Sequence, residues 1–286
     1  MNKFGYLSLL LFLLLSCNGQ EKKRAVKTLP STKASNTNLL NKEGTTIATR
    51  FNVPQNYKRI NTQQGSFENY LQNFPLKPHG SKVYLYNGEE KYRQDVHSAV
   101  LDIDVGTRDL QQCADATMRL RAAYFYKLKQ YDKISFNFTN GFNASYSKWR
   151  KGYRIKVKGN KVNWIKTAQP STSYTSFRKY LTIVFSYAGT LSLEKELTSV
   201  AIEKLQIGNL FIKGGSPGHA IIVVDMAKNN KGEKVFLLAQ SYMPAQDIHI
   251  LKNPNNTAIS PWYSATNVGQ LNTPEWSFDW GDLKRF

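Results

Sequence analysis

Three strand-like runs follow one another closely in the last third of the 286-residue chain, and they constrain its fold more than any other feature. The runs are residues 210–213, 219–226 and 235–240, and a shorter one at 248–251 extends the series. Turn-forming residues separate them, with a glycine-rich segment at 214–218 and an Asn-Asn-Lys-Gly segment at 229–232. Because connections this short join antiparallel neighbours, the sequence predicts an antiparallel meander.

Helical signals precede this sheet. Ser173 is placed to cap a helix whose apolar stripe contains Phe177, Leu181 and Val184, and Gly189 is placed to end it. A second helix at 193–205 is also plausible from the pattern of apolar residues.

Two further helices are predicted nearer the N-terminus, at 67–74 after Ser66 and at 110–129. Asp109 and Gln112 have the spacing of a capping box at the start of the second one. A strand is expected at 99–105, from its alternation of apolar and acidic residues. Together these patterns predict the α+β class, with one domain at 46–286 whose antiparallel sheet packs on helices.

The first residues have the pattern of an export signal. Lys3 is followed by an almost unbroken apolar run at 7–15, which is shorter than the roughly 20 residues that a membrane-spanning helix needs. A run of this length is typical of the hydrophobic region of a signal peptide. It ends at Leu14-Leu15-Ser16-Cys17, which resembles the lipobox of bacterial lipoproteins.

The lipobox resemblance implies a signal peptide at 1–16 and attachment of lipid to Cys17. Residues 17–45 are then expected to be a polar tether, because they contain too few apolar residues to fold alone. The predicted location is the cell envelope, periplasm-facing or in the outer membrane, with membrane attachment through the lipid anchor.

The chain is strongly basic, with 39 Lys and Arg against 20 Asp and Glu, and its formal net charge is +19. Such a charge favours an anionic partner such as acidic lipid headgroups, lipopolysaccharide or peptidoglycan peptides. Solvated surface charge that only aids solubility explains the composition equally well. No recognition motif for nucleic acid is present, so a nucleic-acid partner is not expected.

The chain contains two cysteines, and lipid attachment at Cys17 would leave Cys113 without a disulfide partner. The common thiolate zinc sites need at least two cysteines. No cofactor or metal is therefore predicted. His97 with Asp102 and Asp104 remains a weak alternative for a metal site, and the two aspartates alone an alternative acid–base pair.

Cys113 falls in the first turn of its predicted helix, where free backbone N–H groups and the helix dipole are expected to lower the pKa of a thiol. A cysteine nucleophile needs a base, and His219 opens an apolar strand directly after the glycine-rich turn. Gln240 ends the next strand, within expected reach of that imidazole. Inert packing remains open, because Cys113 also shares an apolar stripe with Leu120.

This order of residues resembles the papain-like superfamily, in particular the NlpC family of cell-wall endopeptidases. The resemblance implies that Cys113 is the nucleophile, His219 the base and Gln240 the residue that orients it. Gln112 or Gln111 would assist substrate binding at an oxyanion hole. The chain departs from the NlpC pattern at the nucleophile, where Gln112-Cys113-Ala114-Asp115 replaces Asp-Cys-Ser-Gly, and in its long separation from His219.

Over a longer stretch the chain resembles a group of Bacteroidota lipoproteins that contain a domain of unknown function. The segments 110–116 and 239–246 carry this resemblance. Two functions follow as hypotheses. One is a cysteine hydrolase, an amidase or endopeptidase, of peptide and amide bonds in the cell wall. The other is a non-catalytic envelope-binding lipoprotein in which Tyr242, Trp262 and Tyr263 hold glycan or peptide in the same cleft.

Overall fold

The computed structural model describes residues 38–266 and 268–286. The predicted signal peptide, Cys17 and most of the predicted tether lie outside the described residues. The helices are α1 (Ile47–Arg50), α2 (Phe67–Gln72), α3 (Cys113–Lys127), α4 (Tyr146–Arg150), α5 (Tyr174–Tyr187) and α6 (Thr190–Glu196). The strands are β1 (Tyr57–Arg59), β2 (His97–Val100), β3 (Ser135–Asn137), β4 (Asn143–Ser145), β5 (Tyr153–Lys158), β6 (Lys161–Lys166), β7 (Thr198–Ser199), β8 (Leu210–Lys213), β9 (His219–Asn229), β10 (Lys234–Gln240), β11 (His249–Leu251), β12 (Tyr263–Ser264), β13 (Leu271–Asn272), β14 (Ser277–Phe278) and β15 (Leu283–Arg285).

Within the described residues, nine strands form one sheet in the order β2-β11-β10-β9-β8-β15-β7, with β1 also paired to β9 and β12 to β10. Neighbouring strands are antiparallel, and the predicted meander from β8 to β11 is confirmed. The mixed α and β class with antiparallel sheets is likewise confirmed. Residues 219–227 of β9 are all buried, which explains why this strand is a continuous apolar run rather than an alternating one.

The helix that carries Cys113 packs against β9. Its predicted start at residue 110 is three residues early, because Gln112 occupies the N-cap. The Gln112 backbone N–H donates to Asp115 Oδ2 at 3.1 Å, so Asp115 supplies the capping carboxylate. Asp109 Oδ1 instead accepts from Gln112 Nε2 at 2.9 Å and from the Ala245 backbone N–H at 2.7 Å. The start of α3 is thereby tied to the loop after β10.

The prediction of a strand at 99–105 is wrong at its end, because β2 stops at Val100. Asp102 and Asp104 therefore do not share a strand face, and the acid–base pair drawn from that spacing has no structural basis. Asp104 accepts from Arg119 at 3.1 Å and Arg178 at 2.7 Å instead. The helix predicted at 193–205 is shorter and earlier: α6 ends at Glu196, before the short strand β7.

Strands β5 and β6 form a hairpin over residues 153–166, with Gly159 at φ +56° in its turn. One face of this hairpin contributes Ile155, Val162 and Trp164 to the core. Among the described residues, no helix is long and apolar enough to cross a lipid bilayer.

Candidate active site at the N-terminus of α3

Cys113 is the first residue of α3 and lines a pocket of about 240 Å³. The glycine-rich segment 215–218 and Met243 line the same pocket. The thiol is only 6% exposed, so the pocket reaches it without opening it widely to solvent. A Cβ on Gly218 would lie 2.6 Å from Gly215 O, which explains why a glycine must precede His219.

Burial, and after it the nearby Asp115 carboxylate, raise the pKa of the Cys113 thiol to about 11. Hydrogen bonds from backbone N–H groups, including that of Ala220, lower the pKa of the thiol. The sulfur therefore lies beside the backbone of the residue that follows His219. The expectation of a lowered thiol pKa is therefore wrong. Desolvation and a neighbouring negative charge outweigh the helix dipole at this position.

Asp115 is a second unusual group in the same pocket. Its side chain is buried, Oδ1 has no hydrogen-bond partner among the described residues, and burial raises its pKa well above the ordinary value. Arg119, four residues further along α3, pairs with Asp104 and not with Asp115. Asp115 thus caps the helix and adds a buried carboxyl group next to the thiol.

His219 is bound to Gln240, as the spacing of the two strands suggested. The His219 Nε2 atom lies 2.9 Å from Gln240 Oε1, and the imidazole is 1% exposed. Burial lowers the pKa of His219 to about 4, while Gln240 acts in the opposite direction. The ring packs edge-on against Tyr242, with centroids 4.9 Å apart. The His219 imidazole is therefore buried, neutral and held in one orientation.

The amide of Gln240 is oriented by two further acceptors. Its Nε2 donates to Glu275 Oε2 at 2.7 Å and lies 3.3 Å from His249 Nε2. The Glu275 carboxylate, paired with Lys91 Nζ at 2.7 Å, has only acceptor oxygens. His249 Nδ1 lies 2.9 Å from the carbonyl oxygen of residue 247, so the proton is on Nδ1 and Nε2 accepts.

This network determines the tautomer of His219. With Gln240 Nε2 directed at Glu275 and His249, Oε1 faces His219 and must accept a proton from its Nε2. The proton of the neutral ring is then on Nε2, and Nδ1 keeps a free lone pair. Among the described residues, no hydrogen bond joins Nδ1 to a partner, and none joins the ring to Cys113.

The other predicted site residues lie in different surroundings. Gln112 lines the pocket beside Cys113, with its amide held by Asp109. Tyr242 is partly buried next to His219, under the ammonium group of Lys91. Trp262 does not belong to this cleft, which corrects the prediction. It is fully buried and donates through Nε1 to the carbonyl of Asn52 at 2.9 Å.

Tyr263 is also unavailable to a ligand, since its ring is buried and its hydroxyl donates to the carbonyl of Lys252. Tyr263 belongs to β12, which pairs with β10 at Val235 and Phe236, at the end of β10 opposite to Gln240. Among the described residues, no group of three or more His, Cys, Asp and Glu side chains is arranged to hold a metal ion.

Comparison with known proteins places the chain in a family. Residues 47–285 match the family described as "Domain of unknown function (4846)". The chain belongs to this family. No curated protein and no solved structure matches it. All of the network described above, from Lys91 to Glu275, falls inside the DUF4846 match.

Sequence reasoning missed three members of this DUF4846 site: Lys91, His249 and Glu275. His249 had a signal, because it lies in the strand predicted at 248–251, on the strand after Gln240. Lys91 and Glu275 lie in loops far apart in the sequence, and only folding brings their side chains together. No local pattern in the sequence marks either of them.

Proposed function

We propose that the chain is a cysteine hydrolase of peptide or amide bonds in the cell wall, with a papain-like core and a lipid anchor at Cys17. The observation that carries this proposal is the hydrogen bond from His219 Nε2 to Gln240 Oε1, which leaves Nδ1 free as a base. The thiol of Cys113 lies against the backbone of Ala220, one residue further on. In this proposal Cys113 at the start of α3 is the nucleophile, His219 at the start of β9 is the base, and Gln240 at the end of β10 is the orienting residue.

The raised thiol pKa and the lowered imidazole pKa favour a neutral pair over a preformed thiolate–imidazolium pair. In the first step, Cys113 Sγ attacks the carbonyl carbon while its proton passes to His219 Nδ1. The C–N bond then breaks, the leaving amine takes the proton from Nδ1, and a thioester remains. Water attacks the thioester, His219 transfers the water proton to the departing sulfur, and the carboxylic acid is released.

The start of α3 offers electrostatic support for this chemistry. Negative charge develops on the carbonyl oxygen during attack, and free backbone N–H groups in the first turn of a helix stabilise such charge. The Gln112 amide lines the same pocket and is held in place by Asp109. We assign Gln112 a role in orienting the substrate carbonyl.

Digestion of purified peptidoglycan sacculi tests the proposal, with soluble peptides measured by mass spectrometry. Wild type should release peptides, and Cys113→Ala should reduce release by a factor of about 1,000 or more. His219→Gln keeps an N–H donor for Gln240 but removes the base, and it should cause a comparable loss. The exposed histidine variant His79→Gln is the matched control and should behave as wild type.

Release at the wild-type rate by Cys113→Ala would contradict the assigned nucleophile. No release by the wild-type chain would contradict the cell-wall substrate. Thermal unfolding of each variant shows whether the substitution has altered the fold instead of the chemistry.

One observation favours the second candidate, a non-catalytic envelope-binding protein. The thiol is 6% exposed and its pKa is raised to about 11, which is the environment of a packed rather than a reactive cysteine. In that case the pocket beside Met243 binds envelope peptides without cleaving them. Binding to sacculi by Cys113→Ala that equals wild type, with no peptide released by either, would support this second function.

A further inference from the structure

The positive charge of the chain is concentrated in its middle. Residues 133–193 contain eleven Lys and Arg and no Asp or Glu. A chain of this composition would carry an acidic residue about every fourteen positions if its acids were evenly spread, since it has 20 in 286. The acid-free segment therefore has no carboxylates of its own to neutralise its cations.

The hairpin of β5 and β6 arranges part of this charge on a single face. Cross-strand pairs of its outer face are Arg154 with Ile165, Lys156 with Asn163, and Lys158 with Lys161. The three lysines are exposed, and the opposite face is packed against the core. Because side chains alternate along a strand, the core contact forces these lysines outward together.

The ammonium groups of this face have no acidic partners. Among the described residues, none of the ion pairs includes a Lys or Arg of α4, β5 or β6. Arg154 is used within the fold, where its guanidinium donates to the Trp149 carbonyl at 3.0 Å and stacks on the indole ring. The remaining charge of Lys156, Lys158 and Lys161 is available to a ligand outside the molecule.

We propose that this cationic face, defined as Lys156, Lys158, Lys161 and Ile165, docks on the headgroups of an anionic lipid bilayer. Lysine is a compact charge on a flexible stem and responds to the density of negative charge rather than to one fixed geometry. Ile165 is 37% exposed among the lysines, and an apolar side chain beside them can enter the headgroup boundary.

Two observations favour a bilayer over a nucleic acid. The aromatic rings of the hairpin, Tyr153 and Trp164, lie on the opposite face, so the lysine face has no platform on which bases could stack. The apolar run at 7–15 and the lipobox-like Cys17 indicate that the chain is attached to a membrane, which puts headgroups within reach. The proposal is independent of the chemistry at Cys113.

Vesicle partitioning of the full chain tests the proposal. The readout is a ratio of two partition coefficients, one onto vesicles with about 30% phosphatidylglycerol and one onto vesicles of pure phosphatidylcholine. Because the apolar N-terminus contributes to both, its contribution cancels in the ratio. Substitution of Lys156, Lys158 and Lys161 by Gln should lower this ratio about a hundredfold, since each lysine near an anionic surface contributes about fivefold. The matched control replaces three exposed lysines on other elements, Lys42, Lys204 and Lys231, by Gln and should change the ratio much less.

Acetylation footprinting of the intact chain locates the contact. Anionic vesicles should protect the three hairpin lysines from acetylation, whereas free phosphate at the same phosphorus concentration should not. Equal vesicle ratios for the hairpin and control triples would overturn the proposal. So would protection of the hairpin by a single-stranded oligonucleotide but not by vesicles, since that result would assign the face to nucleic acid.

Discussion

Gln240 is the residue on which the geometry of the candidate site depends. Its amide has one acceptor and two donor positions, and the structure uses all of them: Oε1 faces His219, while Nε2 faces Glu275 and His249. Each neighbour restricts the orientation of the amide, and the amide in turn determines which nitrogen of His219 carries the proton. The position of the proton on His219 therefore depends on Gln240 and, through it, on Glu275 and His249.

The two buried histidines should have opposite tautomers. We expect the His219 proton on Nε2 and the His249 proton on Nδ1 at pH 7, because Gln240 accepts from the first and donates to the second. Burial lowers both pKa values, to about 4 and about 3, so both rings stay neutral at this pH. Long-range ¹H–¹⁵N correlation spectra of the imidazole rings measure this directly.

Assignment of those spectra uses His219→Gln and His249→Gln, each of which removes one set of ring signals. A His219 ring protonated on Nδ1 would contradict the orientation deduced for Gln240 and remove the base from the proposed mechanism.

At this scale, the sequence was sufficient to nominate Cys113, His219 and Gln240, because residue type and position at the ends of predicted elements carried the information. It was insufficient for Glu275 and Lys91, whose roles depend on the tertiary fold. The pKa of the thiol was predicted in the wrong direction, because helix position is visible in a sequence and burial beside Asp115 is not.

At the scale of elements, β9 organises the molecule. It pairs with β1, β8 and β10, and α3 packs across it. The buried Asp225 in this strand accepts from Arg59 of β1 at 2.9 Å and from Gln72 of α2 at 2.7 Å. Burial raises the pKa of Asp225, and these partners oppose the rise. The carboxylate thus joins three elements around the sheet.

Arg59→Leu should lower the free energy of unfolding by about 3 kcal/mol at pH 7, because it leaves a buried carboxylate without its cation. Urea denaturation measures the loss. The deficit should narrow as the pH falls through the raised pKa of native Asp225 toward 4, because in that range the native carboxylate binds a proton before an unfolded aspartate does. A proton on Asp225 removes the buried charge. Because the pKa of Asp225 is higher in the native than in the unfolded state, lowering the pH stabilises the folded form of Arg59→Leu relative to its unfolded form.

The control is Arg93→Leu, which removes a solvent-exposed pair with Asp95 and should lower the free energy of unfolding much less. Equal losses for the two variants would show that Asp225 does not depend on Arg59.

Periodic elements were predictable from the sequence, and short ones were not. The helix after Ser173, the β5–β6 hairpin and the meander from β8 to β11 have strong apolar patterns and flanking turn residues. The strand at 99–105 failed because apolar alternation continued past Val100, where Asp104 leaves the sheet to meet two arginines. The short strands near the C-terminus have two or three residues each and give no period to detect.

At the scale of the molecule, two surfaces have distinct predicted roles. The candidate active site lies where α3 meets the start of β9, and the unneutralised lysines lie on the β5–β6 hairpin. The net charge of +19 was evident from composition, but the placement of Lys156, Lys158 and Lys161 on one face required the register of the hairpin. The pairing of a solitary thiol with a distant imidazole is the central claim of the account.

Alkylation of Cys113 by iodoacetamide tests that claim without a known substrate. The label is measured by mass spectrometry on the digested peptide that contains Cys113, so that any label on Cys17 is not counted. Because the pKa of the thiol is raised to about 11, the rate for wild type should rise with pH from 7 to 10. At pH 7 the account predicts labelling that is about tenfold slower or more in His219→Gln than in the control His79→Gln, since only the first loses the base. Equal rates in these two variants would contradict the account.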